Sequence, residues 1–316
     1  MMNKNFNHLV SLFDLSSSQI GDLLRIGSEE KKRFKAHGPT DVLKGKSSAL
    51  IFEKPSLRTR VTFEVAMTQV GGSTINLEPN SISLGKRESV QDGALNLSRW
   101  VDVIVARTFK HSMVEELATH AQIPVVNALT DLYHPCQALA LGMTLEEKFG
   151  NIKGLNMVFV GDGNNVANSL AIFAAKLGLN FTLSCPVGYE QPAEIKTELE
   201  KCFKESGAKY QVEYDPASAV KGADLIYTDV WVSMGEEEQT ELKQKDFLSY
   251  QINRELMSQA PKGCLVTHCL PAHRGEEITS EVMDSDVSIC FDEAENRLHA
   301  QKAVLLALMN ADYSIG

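Results

Sequence analysis

The chain has 316 residues, a formal net charge of −10 and 43% hydrophobic residues. Its length exceeds one ordinary hydrophobic core, so we expect a folded protein of two domains rather than a disordered or fibrous chain. The acidic balance argues against nucleic acid or an anionic membrane as a general partner, and we expect neither. A phosphorylated ligand would therefore need a few local cations.

Six cysteines, at positions 136, 185, 202, 264, 269 and 290, form no CxxC pair. A chain of this size does not depend on disulfides, so we expect reduced thiols and a cytoplasmic location. The opening MMNKNFNHLVSLFDL lacks the sustained apolar core and cleavage site of a signal peptide. No stretch approaches the roughly 18 apolar residues of a membrane span.

The first half of the chain alternates short apolar runs with amphipathic stretches. Four runs predict strands: SALIF, STINL, VDVIVAR and IPVVNAL. Three stretches predict helices: RVTFEVAMTQV, closed by Gly71 and Gly72, then RESVQDGALNLSRW, and HPCQALALGMTLEEKF, stopped by Gly150. This alternation predicts a parallel sheet covered by helices on both faces.

A second alternating set follows a break at NIKGLN, which starts at Asn151. Its predicted strands are LNMVFV, LNFTLSC, YQVEY, ADLIYTDV and GCLVTHCLP, and its predicted helices are NNVANSLAIFAAKLG, AEIKTELEKCFKESG and the tail EAENRLHAQKAVLLALM. We therefore predict an α/β protein with two doubly wound parallel-sheet domains, residues 1–150 and 151–292. The C-terminal helix, within residues 293–316, is expected to pack back on the first domain.

A cationic segment, KPSLRTR at residues 54–60, lies between a predicted strand and a predicted helix. A helix start offers backbone N–H groups and the positive end of the helix dipole, which suit a phosphate. Ser56 and Thr59 add hydroxyl donors, and the planar guanidinium of Arg58 matches phosphate oxygens. The alternative is a capped helix with solvated arginines. The GxxxxGK pattern of a Walker P-loop is missing.

Two further segments follow predicted strands and carry polar residues. Arg107 ends VDVIVAR, and the carboxyl ends of parallel strands face the crevice where α/β proteins hold ligands. His134 and Gln137 open a helix one turn apart, where His134 could donate to a carbonyl oxygen and Gln137 could bind an amide NH2. The alternatives are a surface arginine, a helix cap, and a metal pair of His134 with Cys136 that no second pair completes.

The segment GDGNN, residues 161–165, lies where a dinucleotide site would be. The third glycine of GxGxxG is replaced, and the next strand ends without an acidic residue to hold a ribose hydroxyl. These differences argue against a nicotinamide oxidoreductase. The two asparagines could instead hold a small carboxylate.

Three later segments also carry reactive side chains. Asp229 ends a strand and begins DVWVSMG, which is typical of an amine-binding group on a mobile flap or, alternatively, of a solvated acidic loop. Cys269, in HCLP, follows a strand and is either a thiol in a cleft or a buried inert cysteine. Arg297, in the last helix, either points into the cleft or forms a surface salt bridge.

Taken in order, SLRTR, VAR, HPCQ, GDGNN, DVWVSMG, HCLP and ENRLHAQKA resemble the aspartate/ornithine carbamoyltransferase family over about residues 48–309. The SMG loop and HCLP resemble the ornithine branch rather than the aspartate branch. The resemblance implies an enzyme that transfers the carbamoyl group of carbamoyl phosphate to the δ-amine of L-ornithine, giving L-citrulline and phosphate. It implies no metal and no organic cofactor. A related acceptor, acetylornithine or putrescine, is the alternative.

The resemblance also implies a role for each matched residue. The first domain and the C-terminal helix are implied to bind carbamoyl phosphate, and residues 151–292 to bind ornithine. The implied carbamoyl phosphate site comprises Ser56, Leu57, Arg58, Thr59, Arg107, His134, Gln137, Cys269, Leu270 and Arg297. The implied catalytic residues are Arg107, His134, Cys269 and Arg297. The implied ornithine site comprises Asn165, Asp229, Ser233 and Met234.

Two positions depart from the family pattern. Leu57 stands where many members have Thr, although the implied contact is mostly through the backbone. Ser83 stands where many members have a Gln that reaches a neighbouring subunit's site, so we do not assign it that role. The family implies a homotrimer or a multiple of trimers. A non-catalytic regulatory module would have lost ligand-binding residues, whereas SLRTR, HPCQ and HCLP are complete.

Overall fold

The computed structural model describes residues 6–77, 84–85, 87–232, 238 and 240–309. The chain divides into two compact units. The first unit comprises Met1–Met143 and Glu295–Gly316, and the second comprises Thr144–Ala294.

The first unit contains a four-stranded parallel sheet in the order β2-β1-β3-β4. Its strands are β1 Ser47–Phe52, β2 Ser73–Leu77, β3 Val103–Arg107 and β4 Val125–Leu129. Every residue of β3 is buried, as expected of a central strand covered on both faces. The register pairs Phe52 with Arg107, so β1 and β3 end side by side.

Among the described residues, four α-helices lie wholly in the first unit: α1 Ser17–His37, α2 Leu57–Gln69, α3 Val90–Trp100 and α4 His111–His120. Ser16 begins α1 with a capping box, in which its hydroxyl accepts from Gln19 N and its own N–H donates to the Gln19 side chain. One core cluster packs α3 and α4 on the sheet, with Ala94 and Val114 meeting Ile104.

The second unit contains a five-stranded parallel sheet in the order β7-β6-β5-β8-β9. Its strands are β5 Asn156–Val160, β6 Asn180–Ser184, β7 Tyr210–Glu213, β8 Leu225–Thr228 and β9 Leu265–His268. The order reverses at β5, which pairs with β6 on one side and β8 on the other. Loops at such a switch point commonly hold ligands at the carboxyl ends of the strands.

The remaining helices are α5 Pro135–Phe149, α6 Asn165–Leu177, α7 Ala193–Ser206, α8 Pro216–Ala219, α9 Thr240–Asp246, α10 Arg254–Gln259, α11 Ser280–Met283 and α12 Cys290–Leu308. The central helix α6 is buried along most of its length and ends at Gly178, whose left-handed backbone is typical of a helix C-cap. No helix in the described ranges has the length and apolarity to cross a membrane.

The C-terminal helix α12 packs on the first unit through buried polar contacts and apolar side chains. Lys31 Nζ donates to Asn296 Oδ1 at 2.8 Å. Lys302 Nζ lies 3.6 Å from a Glu30 carboxylate oxygen and 4.1 Å from the centroid of the Phe34 ring. The predicted fold class is therefore confirmed, including the return of the last helix to the first unit.

Three details differ from the predictions. The structure begins α2 at Leu57 rather than Arg60, so the polar residues of SLRTR form its first turn. It begins α12 at Cys290 rather than Glu293. Helices α1 and α4 and the short helices α8 to α11 were not predicted. Ser83, Ser233 and Met234 lie outside the described residues.

Candidate active site

The start of α2 presents a suitable anion site in the first unit. Ser56 has extended backbone angles, φ −158° and ψ 114°, and its side chain makes no capping hydrogen bond. The first backbone N–H groups of a helix have no partner within the helix. The side chain of Leu57 is 74% exposed, so its backbone is the part that can bind a ligand here.

Arg58 and Arg60 have different surroundings although they are only two residues apart. Arg60 Nε donates to Glu64 Oε1 at 3.0 Å, which is an ordinary ion pair along the helix surface. Arg58 is half-buried and acts electrostatically on His134. The solvated-arginine alternative therefore describes Arg60, and Arg58 belongs to a separate group of cations.

Arg107 lies at the end of β3 and is 6% exposed. A β-bulge between Ala106 and Arg107 shifts the pairing, so that Arg107 pairs with Leu129. A bulge redirects the side chain that follows it. Arg107 is thus a buried strand-end cation, which does not fit the alternative of a surface arginine at this position.

His134 directly precedes α5 and is 4% exposed. The pKa of this imidazole is held well below its usual value by burial first, and then by the positive charges of Arg297, Arg107 and Arg58. The ring is therefore neutral at pH 7 and keeps a single N–H donor. We call Arg58, Arg107, His134 and Arg297 the cationic cluster.

Arg297 is 2% exposed and contacts two neighbouring side chains. Its Nη2 donates to Thr59 Oγ1 at 2.8 Å, and its Nη1 donates to Gln137 Oε1. The three residues come from α12, α2 and α5, so the guanidinium plane is oriented by two other helices. Arg297 is not the surface salt-bridge residue of the alternative interpretation.

Cys136 is not available as a ligand or nucleophile. Its Sγ is buried and directed at the backbone oxygen of Asn127, 3.8 Å away. Burial raises the pKa of this thiol to about 12. The structure therefore does not support the metal pair of His134 and Cys136.

In the second unit, Asp229 follows β8 and is 8% exposed. Asn164 Nδ2 donates to Asp229 Oδ2 at 2.9 Å. The backbone N–H of Val230 and the thiol of Cys269 donate to Asp229 Oδ1, each at 2.8 Å. We call Asn164, Asp229 and Cys269 the carboxylate cluster. Its buried carboxylate is held by neutral donors, so its negative charge can attract a cation.

Asn164 and Asn165 have different positions at the start of α6. Asn164 is the N-cap, and its Oδ1 accepts from the N–H groups of Val166 and Ala167, each at 3.0 Å. Asn165 is the first helical residue and is half-buried. The N-terminal end of α6 is a favourable place for a carboxylate, and the Asn165 side chain adds an amide there.

The HCLP turn is oriented by His268, a residue to which the sequence analysis gave no role. Leu270 N donates to His268 Nδ1 at 2.8 Å, which leaves the ring proton on Nε2 to bond Glu277 Oε1 at 2.9 Å. Leu270 has a positive φ of 60°. Cys269 is 9% exposed, so its side chain is buried. Its thiol is held in a defined position by the hydrogen bond to Asp229.

Asn164 is the other functional residue that the sequence analysis missed. It was treated only as one of two asparagines, whereas the structure gives it both the helix cap and the contact to Asp229. An Asn after a Gly-Asp-Gly turn and before an apolar helix is an N-cap signal. The N-cap signal could have been read from the sequence, but the contact between Asn164 and the distant Asp229 could not.

The position of a dinucleotide pyrophosphate is taken by the protein backbone. A Cβ on Gly163 would lie 2.5 Å from Gln191 N and 2.6 Å from the carbonyl carbon of Glu190. The segment after β6 thus packs directly on the GDGNN turn. This packing supports the argument against a nicotinamide site.

Two groups of described residues have donor atoms close enough for a metal. Ligand atoms of Asp229, His268 and Cys269 lie within 4.8 Å of one another, as do those of His273, Glu276 and Glu277. In the first group, the thiol and the imidazole Nδ1 already take part in the hydrogen bonds described above.

Family models and individual relatives indicate the same protein family for this chain. Residues 7–147 match the model of the aspartate/ornithine carbamoyltransferase carbamoyl-P binding domain, and residues 153–308 match that of the Asp/Orn binding domain. An ornithine carbamoyltransferase of Methanopyrus kandleri is 47% identical over 96% of this chain and 97% of its own length. A Pyrococcus furiosus relative named as an anabolic ornithine carbamoyltransferase is 48% identical over 95% of this chain and 96% of its own.

Solved structures agree with the sequence relatives. The ornithine carbamoyltransferase structure from Pyrococcus furiosus superposes with a TM-score of 0.94 and 46% identity, covering 97% of this chain and 98% of that one. The Thermus thermophilus structure gives a TM-score of 0.85 and 42% identity, covering 98% and 100%. With both family models matched along nearly its whole length, the chain belongs to the aspartate/ornithine carbamoyltransferase family.

Proposed function

We propose that the cationic cluster and the carboxylate cluster each serve one substrate of a single reaction. The chain is an enzyme that transfers the carbamoyl group of carbamoyl phosphate to the δ-amine of L-ornithine, giving L-citrulline and phosphate. The observation that carries the site assignment is the set of three arginines acting on the neutral His134. An overall charge of −10 makes such a local concentration of cations informative.

Carbamoyl phosphate is the substrate we assign to the cationic cluster. Arg58 and Arg107 offset the phosphate charge, and the start of α2 adds Ser56, the Leu57 backbone and Thr59 as donors. This assignment rests on the half-buried Arg58, the buried Arg107 and the uncapped helix start. We accordingly assign residues 1–150 and the C-terminal helix, within residues 293–316, to carbamoyl phosphate binding.

The carbamoyl group itself is assigned to His134, Gln137 and Arg297. A neutral His134 donates one hydrogen bond to the carbamoyl oxygen, which becomes more negative as the amine attacks. Arg297, oriented by Thr59 and Gln137, adds a positive charge to that oxygen. Gln137, which accepts from Arg297, is assigned to the carbamoyl NH2 by family resemblance. By family resemblance we add Cys269 and the backbone of Leu270 to this group.

Ornithine is the substrate we assign to residues 151–292. Asp229 attracts the α-ammonium group, and Asn165 at the start of α6 takes the α-carboxylate. Ser233 and Met234 are assigned to the α-amino end by resemblance. The buried, neutrally held carboxylate of Asp229 supports this placement.

The proposed reaction is a direct transfer. The neutral δ-amine attacks the carbamoyl carbon and forms the new N–C bond, and the C–O bond to phosphate breaks, with its electron pair leaving on phosphate. The attacking nitrogen loses one proton, and the departing phosphate takes it up. Binding in a fixed orientation and stabilising the developing oxyanion supply the rate enhancement.

We further propose that the enzyme works in the cytoplasm as a homotrimer or a multiple of trimers. The six cysteines all lie within the described ranges and form no disulfide, which suits a reducing compartment. The trimer is proposed from the family alone. Light scattering on the purified protein should give a mass that is a multiple of three chains of 34.8 kDa. A monomer or dimer at working concentration would refute it.

The site assignment is tested by a matched pair of arginines. Arg58→Ala should lower citrulline formation by roughly 100-fold, because it removes a charge from the phosphate site. Arg60→Ala is the control, since Arg60 pairs with Glu64 on the same helix surface, and it should remain within a few-fold of the parent enzyme. Circular dichroism should show both variants folded. Near-normal activity of Arg58→Ala would contradict the assignment.

A further inference from the structure

Lys243 is buried in the short helix α9 and pairs with the GDGNN turn. It is 2% exposed, and its Nζ lies 2.5 Å from Asp162 Oδ2. The two residues are 81 positions apart in the chain, so only the fold brings them together. A buried ammonium group is costly to bury unless it is paired, and this contact meets that requirement.

Helix α9 makes another polar contact within the second unit. Tyr189 OH donates to Asp246 Oδ2 at 2.8 Å, and Lys243 Nζ lies 5.9 Å from the centroid of the Tyr189 ring. Phe247, which follows α9, packs on Tyr189 with ring centroids 4.8 Å apart. Helix α9 is therefore held at its middle and at its C-terminal end, and Lys243 joins it to Asp162.

Asp162 belongs to the turn that carries the proposed ornithine contacts. The backbone N–H of Asn164 donates to the Asp162 carbonyl oxygen at 2.7 Å. The Asn164 side chain then donates to Asp229 Oδ2 at 2.9 Å. A continuous set of contacts within the second unit thus runs from Lys243 through Asp162 and Asn164 to Asp229.

We propose that Lys243 and Asp162 are positioning residues for ornithine. Their ion pair holds the turn so that Asn164 orients the Asp229 carboxylate and Asn165 faces the substrate carboxylate. This inference rests on the proposed function of Asp229 and Asn165. Neither Lys243 nor Asp162 touches a substrate in this proposal. The pair acts through geometry, and its loss affects the substrate bound by the turn.

A positioning role and a merely structural role are distinguished by the kinetic constants that change. Loss of a residue that positions ornithine should change the KM for ornithine, whereas general damage to the fold should change both KM values. Lys243→Gln should raise the KM for ornithine about tenfold or more, because small displacements of binding groups are expensive, with little change in the KM for carbamoyl phosphate. Lys243→Arg keeps the charge and should restore most of the ornithine affinity. Lys245→Gln removes the same charge from an exposed position of α9 and should change neither KM.

Asp162→Asn provides an independent test if Lys243→Gln does not fold. It should also raise the KM for ornithine selectively. Where both single variants fold, the double variant should be no worse than the poorer single one, since both changes break the same pair. Equal changes in both KM values, or effects of the two variants that simply add, would overturn the positioning role.

Asp229→Ala separates failure of this inference from failure of the proposed function. If Asp229→Ala raises the KM for ornithine selectively while Lys243→Gln and Asp162→Asn do not, the ornithine site stands and the positioning role is wrong. If Asp229→Ala affects both substrates equally, the ornithine site itself is misplaced, and the positioning role is wrong with it.

Discussion

The cationic cluster and the carboxylate cluster carry opposite charges but are built in a similar way. The first gathers arginines around a neutral imidazole, and the second holds one buried carboxylate among neutral donors. The contacts described for Arg297 are to a hydroxyl and an amide, and those for Asp229 are to an amide, a thiol and a backbone N–H. Neutral partners orient a charge without cancelling it.

The ion pairs elsewhere in the molecule show the contrast. Arg60 is compensated by Glu64, and Lys243 by Asp162. Such pairs fix the positions of helices and turns, but much of their field is cancelled. The contacts described for Arg297 and Asp229 are to neutral groups, whereas Arg60 and Lys243 are paired with carboxylates.

Arg297→Lys should have the largest effect on turnover. Lysine keeps the positive charge but cannot make the two directed contacts to Thr59 and Gln137. We expect kcat to fall by about 100- to 1000-fold, the range for loss of one oxyanion donor. Steady-state kinetics with both substrates saturating would measure it. If charge alone sufficed, the loss would be only a few-fold, and orientation by neutral partners would be unimportant.

Asp229→Ala should have the next largest effect, and on a single substrate. The variant removes the buried charge proposed to hold the α-ammonium group, so the KM for ornithine should rise by roughly 100-fold. The KM for carbamoyl phosphate should change little. Cys269→Ser is the matched control for the shared contact, because a hydroxyl can still donate to Asp229 Oδ1. A comparable loss for both substrates in Asp229→Ala would contradict the separation of the clusters.

The pH dependence of the reaction should reflect the substrate rather than His134. Because burial first, and then the charges of Arg297, Arg107 and Arg58, hold the pKa of His134 well below its usual value, we expect no inflection from this imidazole near pH 6.5. The ornithine δ-amine resembles a lysine amine of pKa about 10.4, so kcat/KM for ornithine should rise about tenfold from pH 7 to 8. An inflection near pH 6.5 that disappears in His134→Gln would show that the cluster does not hold this ring neutral.

The sequence was most informative where a local pattern has one physical meaning. The run VDVIVAR predicted a central strand, and β3 is buried throughout. The start of α2 was misplaced because Arg58, Thr59 and Arg60 are polar and have no apolar period. The partners of Arg297 and Lys243 lie 160 and 81 residues away. No periodicity or cap signal reports such pairs, so the family motifs indicated the site residues but not the contacts that orient them.

The smallest predicted effect is on stability and lies outside both clusters. His299 of α12 is buried, and burial first, then the nearby charges of Lys302 and Lys31, lower its pKa to about 4. The unfolded residue binds a proton near pH 6.5 while the folded one does not, so stability is complete above about pH 6.5 and falls as the pH drops towards 4.

Replacing His299 by Phe should therefore remove part of the acid sensitivity. Between pH 7 and pH 5 the parent protein should lose on the order of 1–2 kcal/mol more than His299→Phe, measured by urea unfolding at each pH. His37→Phe changes an exposed histidine at the end of α1 and should leave the pH dependence unchanged. Identical pH curves for the parent and His299→Phe would mean that this histidine is not buried neutral.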